Sequence, residues 1–499
     1  MHKIIIIGTG FGGISAAINL KKRGIENFIM LERREFFGGT WLQNRYPGAA
    51  VDVPSPLYSI EDEPYPWTQM FAQRDQLEQY TLHIVKKHQL DSHIHLNAQV
   101  KIASWQGEHW KLELSNGNTL LAQTVINATG PLSTPVIPEF KGKEDFKGVS
   151  FHCNDWPSDL DLKDKKVAII GSGASAVQII PAIAKDVAHL HVFQRTPHWV
   201  LPRPDFRFPK WFQKLLPNKW VYALLKWGIY IHHELRVLAF KYSPLLLKWV
   251  AQRPALRHLK KQVGNDETRK ALTPDFIIGC KRILMSDTYY PALQRDNVSL
   301  HDKSDSIVTI NNKGLLTSNH QQIDLDVIVY ATGYDAADSM ISYQVVGKNG
   351  IELQAQWQEY PRAYLGTSMP NFPNFFVVTG PNTGIGHTSA IFVIESQMRY
   401  IMQCIEKLQA PDVLSMEPTE YAEDNYTNMV HSEMEKTVWH YGGCHSWYQN
   451  KSGKVIAMFP GFSFNYRLMC KKFKAQDHLI KRSHLHGASP SNINEQASC

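Results

Sequence analysis

Lys3-Ile4-Ile5-Ile6-Ile7-Gly8-Thr9-Gly10-Phe11-Gly12-Gly13 decides the fold of this chain. Lys3 to Ile7 reads as a buried strand of a parallel sheet, because a continuous apolar run ending at a glycine turn has no polar face to show to water. The turn opens a helical stretch from Ile14 to Arg23, closed by Gly24. A second strand, Phe28 to Leu31, then ends in Glu32. Strand, G-x-G-x-x-G turn, helix, strand and acid in that order form a dinucleotide-binding unit. Gly8 permits the tight turn, Gly10 lets a pyrophosphate approach the backbone, and Gly13 allows the helix to lie close on the strand. The helix N-terminus faces the phosphates. A carboxylate at Glu32 accepts hydrogen bonds from ribose hydroxyls, which calls for an unphosphorylated ribose, as in FAD or NAD.

The pattern recurs. Lys166 to Ile170 leads into Gly171-Ser172-Gly173-Ala174-Ser175-Ala176, a helix toward Ala184, and a strand from His189 to Phe193. Here the strand ends in Gln194-Arg195-Thr196, without an acid. Arginine at this place can pair with the 2′-phosphate of NADP through two parallel hydrogen bonds. One nucleotide is therefore read as FAD and the other as NADPH (NADP+). Each unit closes on an Ala-Thr-Gly strand end, Ala128-Thr129-Gly130 in the first and Ala331-Thr332-Gly333 in the second.

Alternating strands and helices predict an α/β chain of two Rossmann-like domains with parallel sheets, the second inserted in the first. The boundaries read as an FAD domain over 1–142, an NADP domain over 143–336, and a return to the FAD domain over 337–476. A Trp- and Leu-rich helical subdomain interrupts the second unit at about 203–274. The polar, Ser/Asn-rich tail over 477–499 is expected to be disordered. Thr379-Gly380-Pro381-Asn382-Thr383-Gly384 leads toward a helix starting near Thr388 or Ser389, whose N-terminus could stabilise negative charge on a flavin ring.

Composition narrows the function classes. Of 499 residues, 43% are hydrophobic and 20% charged, a globular balance. The net charge of +7 suits dinucleotide phosphates but is too diffuse to suggest nucleic acid. Six scattered cysteines without a C-x-x-C pair give no disulfide framework, zinc site or dithiol centre, and favour a reduced, cytoplasmic setting. The N-terminal apolar run is too short for a secretion signal. The histidine pairs His93/His95, His189/His191 and His232/His233 lack a third ligand nearby, so no metal is expected. There is no G-x-S-x-G nucleophile turn. No oligomeric state follows from the sequence.

Within the interrupting segment Trp220, Leu224, Trp227, Ile231, Leu235 and Leu238 recur at helical spacing. Lys226, His232, His233, Glu234 and Arg236 break any membrane-spanning window of about twenty residues. The stripe is expected to pack on the NADP unit and roof the substrate entrance. A resting place on a membrane surface is the less favoured reading.

Between the two units stands Phe146-Lys147-Gly148-Val149-Ser150-Phe151-His152-Cys153-Asn154-Asp155-Trp156-Pro157. It resembles the type I Baeyer–Villiger monooxygenase signature F-x-G-x-x-x-H-x-x-x-W-P at every defined position, and the resemblance runs from Met1 to about Arg467. It implies that His152 and Trp156 couple domain movement to the reaction. Gly38-Gly39-Thr40-Trp41 and Arg45 to Asp52 resemble the family's flavin-side segment, which puts Gly39, Thr40, Trp41 and Asp52 at the flavin. Lys281-Arg282, followed by Tyr289-Tyr290, resembles the segment that supplies the catalytic arginine. By that resemblance Arg282 is the catalytic residue, Asp52 orients it, and Lys281 joins Arg195 and Thr196 at the NADP phosphate. Gly442 to Tyr448 is similar, more weakly, to a segment near the substrate pocket. The activity implied is conversion of a small hydrophobic ketone to an ester or lactone by a C4a-peroxyflavin, with molecular oxygen as co-substrate. The alternative is oxygenation of soft nitrogen or sulfur.

Overall fold

Ile4, Ile5, Ile6 and Ile7 are all buried, and they feed two cores in alternation. Ile4 and Ile6 face one cluster, while Ile5 and Ile7 face another. Only a strand covered on both faces accepts such a run. In the computed structural model, which describes residues 2–335 and 340–483, the strand His2–Ile7 lies between Thr119–Asn127 and Phe28–Leu31 and runs parallel to both. The helix Phe11–Lys21 covers one face and packs on the helix Ala390–Leu408, where the Ser15 hydroxyl donates to Glu395 at 2.8 Å.

The first sheet has eight strands and is mixed. This departs from the parallel sheet expected. Val100–Trp105, Trp110–Leu114 and Thr119–Asn127 form an antiparallel meander, because connections of four residues are too short for a parallel crossover. Gln344–Val346 and Phe375–Val377 also join this sheet, so the chain returns to it after leaving for the second.

The second sheet is parallel throughout. Its order is Val298–His301, His189–Phe193, Lys166–Ile170, Val327–Tyr330 and Val149–His152. The signature segment thus supplies an edge strand that ends on His152. Burial pushes the His152 pKa down. Its Nδ1 accepts from the Asn154 amide at 3.1 Å, so Nε2 carries the proton and donates to the Gly333 carbonyl at 3.1 Å. Trp156 packs edge-on against Phe151.

Between the strand Val200–Leu201 and its partner Leu284–Met285 the chain is mostly helical, with Lys219–Glu234 as the longest helix. The apolar stripe on that helix does not pack on the second unit: Trp220, Leu224, Trp227 and Ile231 are exposed. The start of the expected tail is ordered. His478–Arg482 pairs antiparallel with Val413–Pro418, held by His478, whose ring is buried and hydrogen-bonded to the Tyr400 hydroxyl at 2.7 Å. Residues 484–499 of the expected tail lie outside the described residues.

Candidate active site

The first glycine turn sits as its sequence requires. A Cβ added at Gly13 would lie 2.0 Å from the Gly8 carbonyl oxygen, so only glycine lets the helix come this close to the strand. Glu32 is buried at the strand end. One carboxylate oxygen accepts from the Thr9 hydroxyl at 2.6 Å and the other from the Arg34 amide at 3.1 Å. The first oxygen also accepts from the Thr9 amide at 3.3 Å, so it is the second that keeps a lone pair for a ribose hydroxyl.

A cavity of about 360 Å³ runs from this turn toward the middle of the molecule. Gly8, Gly10, Glu32, Gly39, Thr40 and Trp41 line it, and so does Arg282 from the other unit. Gly39 and Gly10 form a narrow backbone cradle, in which a Cβ on Gly39 would lie 2.7 Å from the Gly10 Cα. The Trp41 indole N–H donates to the Tyr58 hydroxyl at 3.2 Å. From the returning segment Thr383, Gly384 and Ile391 complete the wall, at the N-terminus of the helix Ala390–Leu408, capped by Ser389. The glycine turn at a helix N-terminus, the Gly10–Gly39 cradle and the buried acid fit FAD.

Arg282 precedes the short strand Leu284–Met285, which Val200–Leu201 clamps. Its guanidinium donates twice to Asp52, Nε to Oδ2 and Nη2 to Oδ1, each at 2.5 Å. The Arg282 side chain is 45% exposed, and the cavity is among the surfaces it faces. The Asp52 charge raises the Arg282 pKa well above the usual arginine value against the opposing effect of burial. Burial alone would raise the Asp52 carboxyl, but the Arg282 guanidinium outweighs it and holds the carboxyl below its ordinary value. The pair is charged at any working pH. Tyr448 also lines the cavity, with its hydroxyl pushed up to about 12 by burial. It therefore stays a neutral donor.

At the second turn Gly171 donates its amide to Phe193 at 3.0 Å, and Gly173 caps the helix Ala174–Ile183. The Ser172 hydroxyl donates to the Thr196 carbonyl at 2.7 Å. Arg195 stands exposed at the strand end, and Lys281 is close enough to feel it: burial first, then the Arg195 charge, lowers the Lys281 pKa. Two neighbouring cations beside a helix N-terminus fit a phosphorylated ribose such as that of NADP. Thr332 and Gly333 follow Ala331, whose carbonyl lies against Gly171 of the second turn. The Thr332 hydroxyl donates to the Val136 carbonyl, and Gly333 accepts from the Val136 amide at 3.0 Å, so both fasten the crossing segment between the units.

Tyr58 gave no sequence signal, being one tyrosine among twenty. Cys280 pairs with Cys444, Cα atoms 6.1 Å apart, a bridge that the scattered cysteines of the sequence do not reveal. Its partners are 164 residues apart, so spacing could not reveal it. It ties the residues beside Arg282 to the segment carrying Trp447 and Tyr448. Cys280→Ala/Cys444→Ala should lose about 2–4 kcal/mol of stability. Denaturant melts of the flavin-loaded protein check this, and an unchanged midpoint would show that the bridge contributes nothing.

The family profile described as pyridine nucleotide-disulphide oxidoreductase matches residues 5–213. A Baeyer–Villiger monooxygenase of Pseudomonas aeruginosa is 39% identical over 478 residues, covering 95% of this chain and 90% of the relative. One of Streptomyces coelicolor is 38% identical over 489 residues, covering 96% and 93%. The crystal structure of cyclohexanone monooxygenase from Rhodococcus sp. Phi1 bound to NADP+ superposes with a TM-score of 0.86 at 26% identity, covering 96% of this chain and 99% of that one. OTEMO in complex with FAD and NADP gives 0.85 at 26% identity over the same shares. With two relatives of this likeness spanning nearly its full length, the chain belongs to the Baeyer–Villiger monooxygenase family.

Proposed function

We propose that this FAD- and NADPH-dependent monooxygenase converts small hydrophobic ketones to esters or lactones at the cavity faced by Arg282, with Asp52 as the residue that positions it. The observation that carries the reading is the two-point Arg282–Asp52 pair standing in the wall of the same cavity as Gly10, Glu32 and Trp41. Gly8, Gly10, Glu32, Gly39, Thr40 and Trp41 would hold FAD, with Gly13 beneath the turn. Gly171, Gly173, Arg195, Thr196 and Lys281 would hold NADPH, and Thr332 and Gly333 support them from the strand end.

When bound and reduced, the flavin supplies one oxygen atom from molecular oxygen. The protein's part is electrostatic. Baeyer–Villiger addition develops negative charge on the carbonyl oxygen, and a fixed guanidinium beside it lowers that barrier by about 2.7–4 kcal/mol. Arginine suits the task because it keeps its proton and so does not neutralise an attacking anion. Asp52 holds the planar group by both edges, so little reorganisation remains when charge develops.

Cyclohexanone is bound in one solved structural neighbour, which supports a ketone as the natural class over a sulfide or amine. The segments 1–142, 143–336 and 337–476 are proposed as the working division into FAD, NADP and FAD parts. A cytoplasmic location suits the demand for NADPH. Purified protein should be yellow, with one FAD per chain. Offered a ketone and a sulfide side by side, it should turn over the ketone faster, with ester matching NADPH consumed. Sulfoxide as the main product would overturn the ketone assignment.

A further inference from the structure

The helix Lys219–Glu234 is apolar on more than one side. Trp220, Leu224, Trp227 and Ile231 fall within an arc of roughly 60° at 100° per residue, and this apolar arc points outward. Trp220 is 85% exposed, Leu224 79% and Ile231 57%. The inward side is also largely apolar, with Tyr222, Leu225, Ile229 and Tyr230 packed on the neighbouring cores, and polar contacts pin it there. Lys226 donates to the Ser59 carbonyl at 2.8 Å, Tyr222 donates to the Ser59 hydroxyl at 2.8 Å, and Glu234 accepts from Ser463 at 2.7 Å. These contacts fix the helix in place, so the outward turn of the apolar face belongs to the fold. Leu245 and Trp249, further along the same segment, are also exposed.

An apolar surface of this kind is costly in water and marks a place where something else binds. Charge says what. Residues 206–263 contain twelve Lys and Arg against a single acid, Glu234, and ten of them remain when Lys226, tied to Ser59, and Lys241, tied to Glu433, are set aside. A second copy of the same face would bring like charges together. An anionic surface would not, and tryptophans beside lysines are the pattern of a helix lying in a lipid interface. No helix among the described residues is long and apolar enough to cross a membrane, so contact would be from one side. The face also leads inward. Trp227 lines a cavity of about 120 Å³ at the foot of the helix, and Ile391 lines both that cavity and the large one.

We propose that the outward face of the helix Lys219–Glu234 docks the enzyme on an anionic phospholipid bilayer, from which apolar ketones reach the cavity. The flavin-loaded full-length protein should float with vesicles of phosphatidylglycerol and phosphatidylcholine, and much less with phosphatidylcholine alone. Trp220→Ser/Leu224→Ser/Ile231→Ser should partition at least roughly a hundredfold more weakly, since three apolar side chains no longer enter the lipid. It should keep its flavin and its turnover of a water-soluble ketone. Should the triple variant lose flavin, Trp220→Ser alone carries the same test with a smaller loss. Flotation unchanged by these substitutions, or none by the wild type at low salt, would overturn the proposal. So would a wild-type dimer, formed without vesicles, that the triple variant turns into a monomer.

Discussion

Arg282→Ala should bind FAD as the wild type does and still form almost no ester. The expected fall in ester formation is about 10²–10³-fold, the effect of removing one fixed charge from beside a developing oxyanion. Flavin binding should survive because the turn Gly8–Gly13, Glu32 and the Gly39 cradle lie on another unit and make no hydrogen bond to Arg282. Arg282→Lys should rescue little: an ammonium cannot make two parallel bonds to Asp52. Asp52→Ala should fall in the same direction, since the guanidinium loses both bonds that orient it. The double variant should be no worse than Arg282→Ala, because Asp52 acts through Arg282. Additive losses would mean that Asp52 has a separate role. Steady-state product formation, read beside the visible flavin spectrum of each variant, checks all four.

The second large effect concerns cofactor choice. Arg195→Ala should raise the KM for NADPH by about 10–100-fold, the worth of hydrogen bonds between a guanidinium and a phosphate. The KM for NADH, which has no 2′-phosphate, should move little. Lys281→Ala should act in the same direction and more weakly, because a lysine offers a point charge. Parallel KM measurements with the two nucleotides decide the matter. Equal effects on both would place Arg195 outside the phosphate site.

Much of this was legible in the sequence because the glycine turns leave little freedom. The run Ile4–Ile7, the spacing to Gly13 and the acid at Glu32 all constrain one backbone path, and the structure follows it. Arg282 and Asp52 were different. They are 230 residues apart, and only resemblance to a known family joined them; the structure then brings them into a two-point pair. The antiparallel meander over 100–127 escaped because strand direction depends on how long the connections are, which the apolar pattern does not encode. Cys280–Cys444 escaped because its partners are 164 residues apart and no local pattern joins them. The sequence marks the apolar stripe of Lys219–Glu234, and the structure turns it outward rather than onto the second unit. Periodicity says that a face is apolar but not which way it turns, and here the hydrogen bonds of Tyr222, Lys226 and Glu234 set the direction.

Insertion of one atom of molecular oxygen next to a ketone carbonyl, with Arg282 as the charge that makes it possible, is the reaction proposed for this cavity. It is tested most directly by turnover of a cyclic ketone with NADPH under ¹⁸O₂, wild type and Arg282→Ala in parallel, followed by mass analysis of the product. The wild type should give a lactone carrying one ¹⁸O in the ring, and the flavin-loaded variant almost none. Labelled lactone from Arg282→Ala at the wild-type rate, or a wild type that consumes NADPH and releases only hydrogen peroxide, would contradict it.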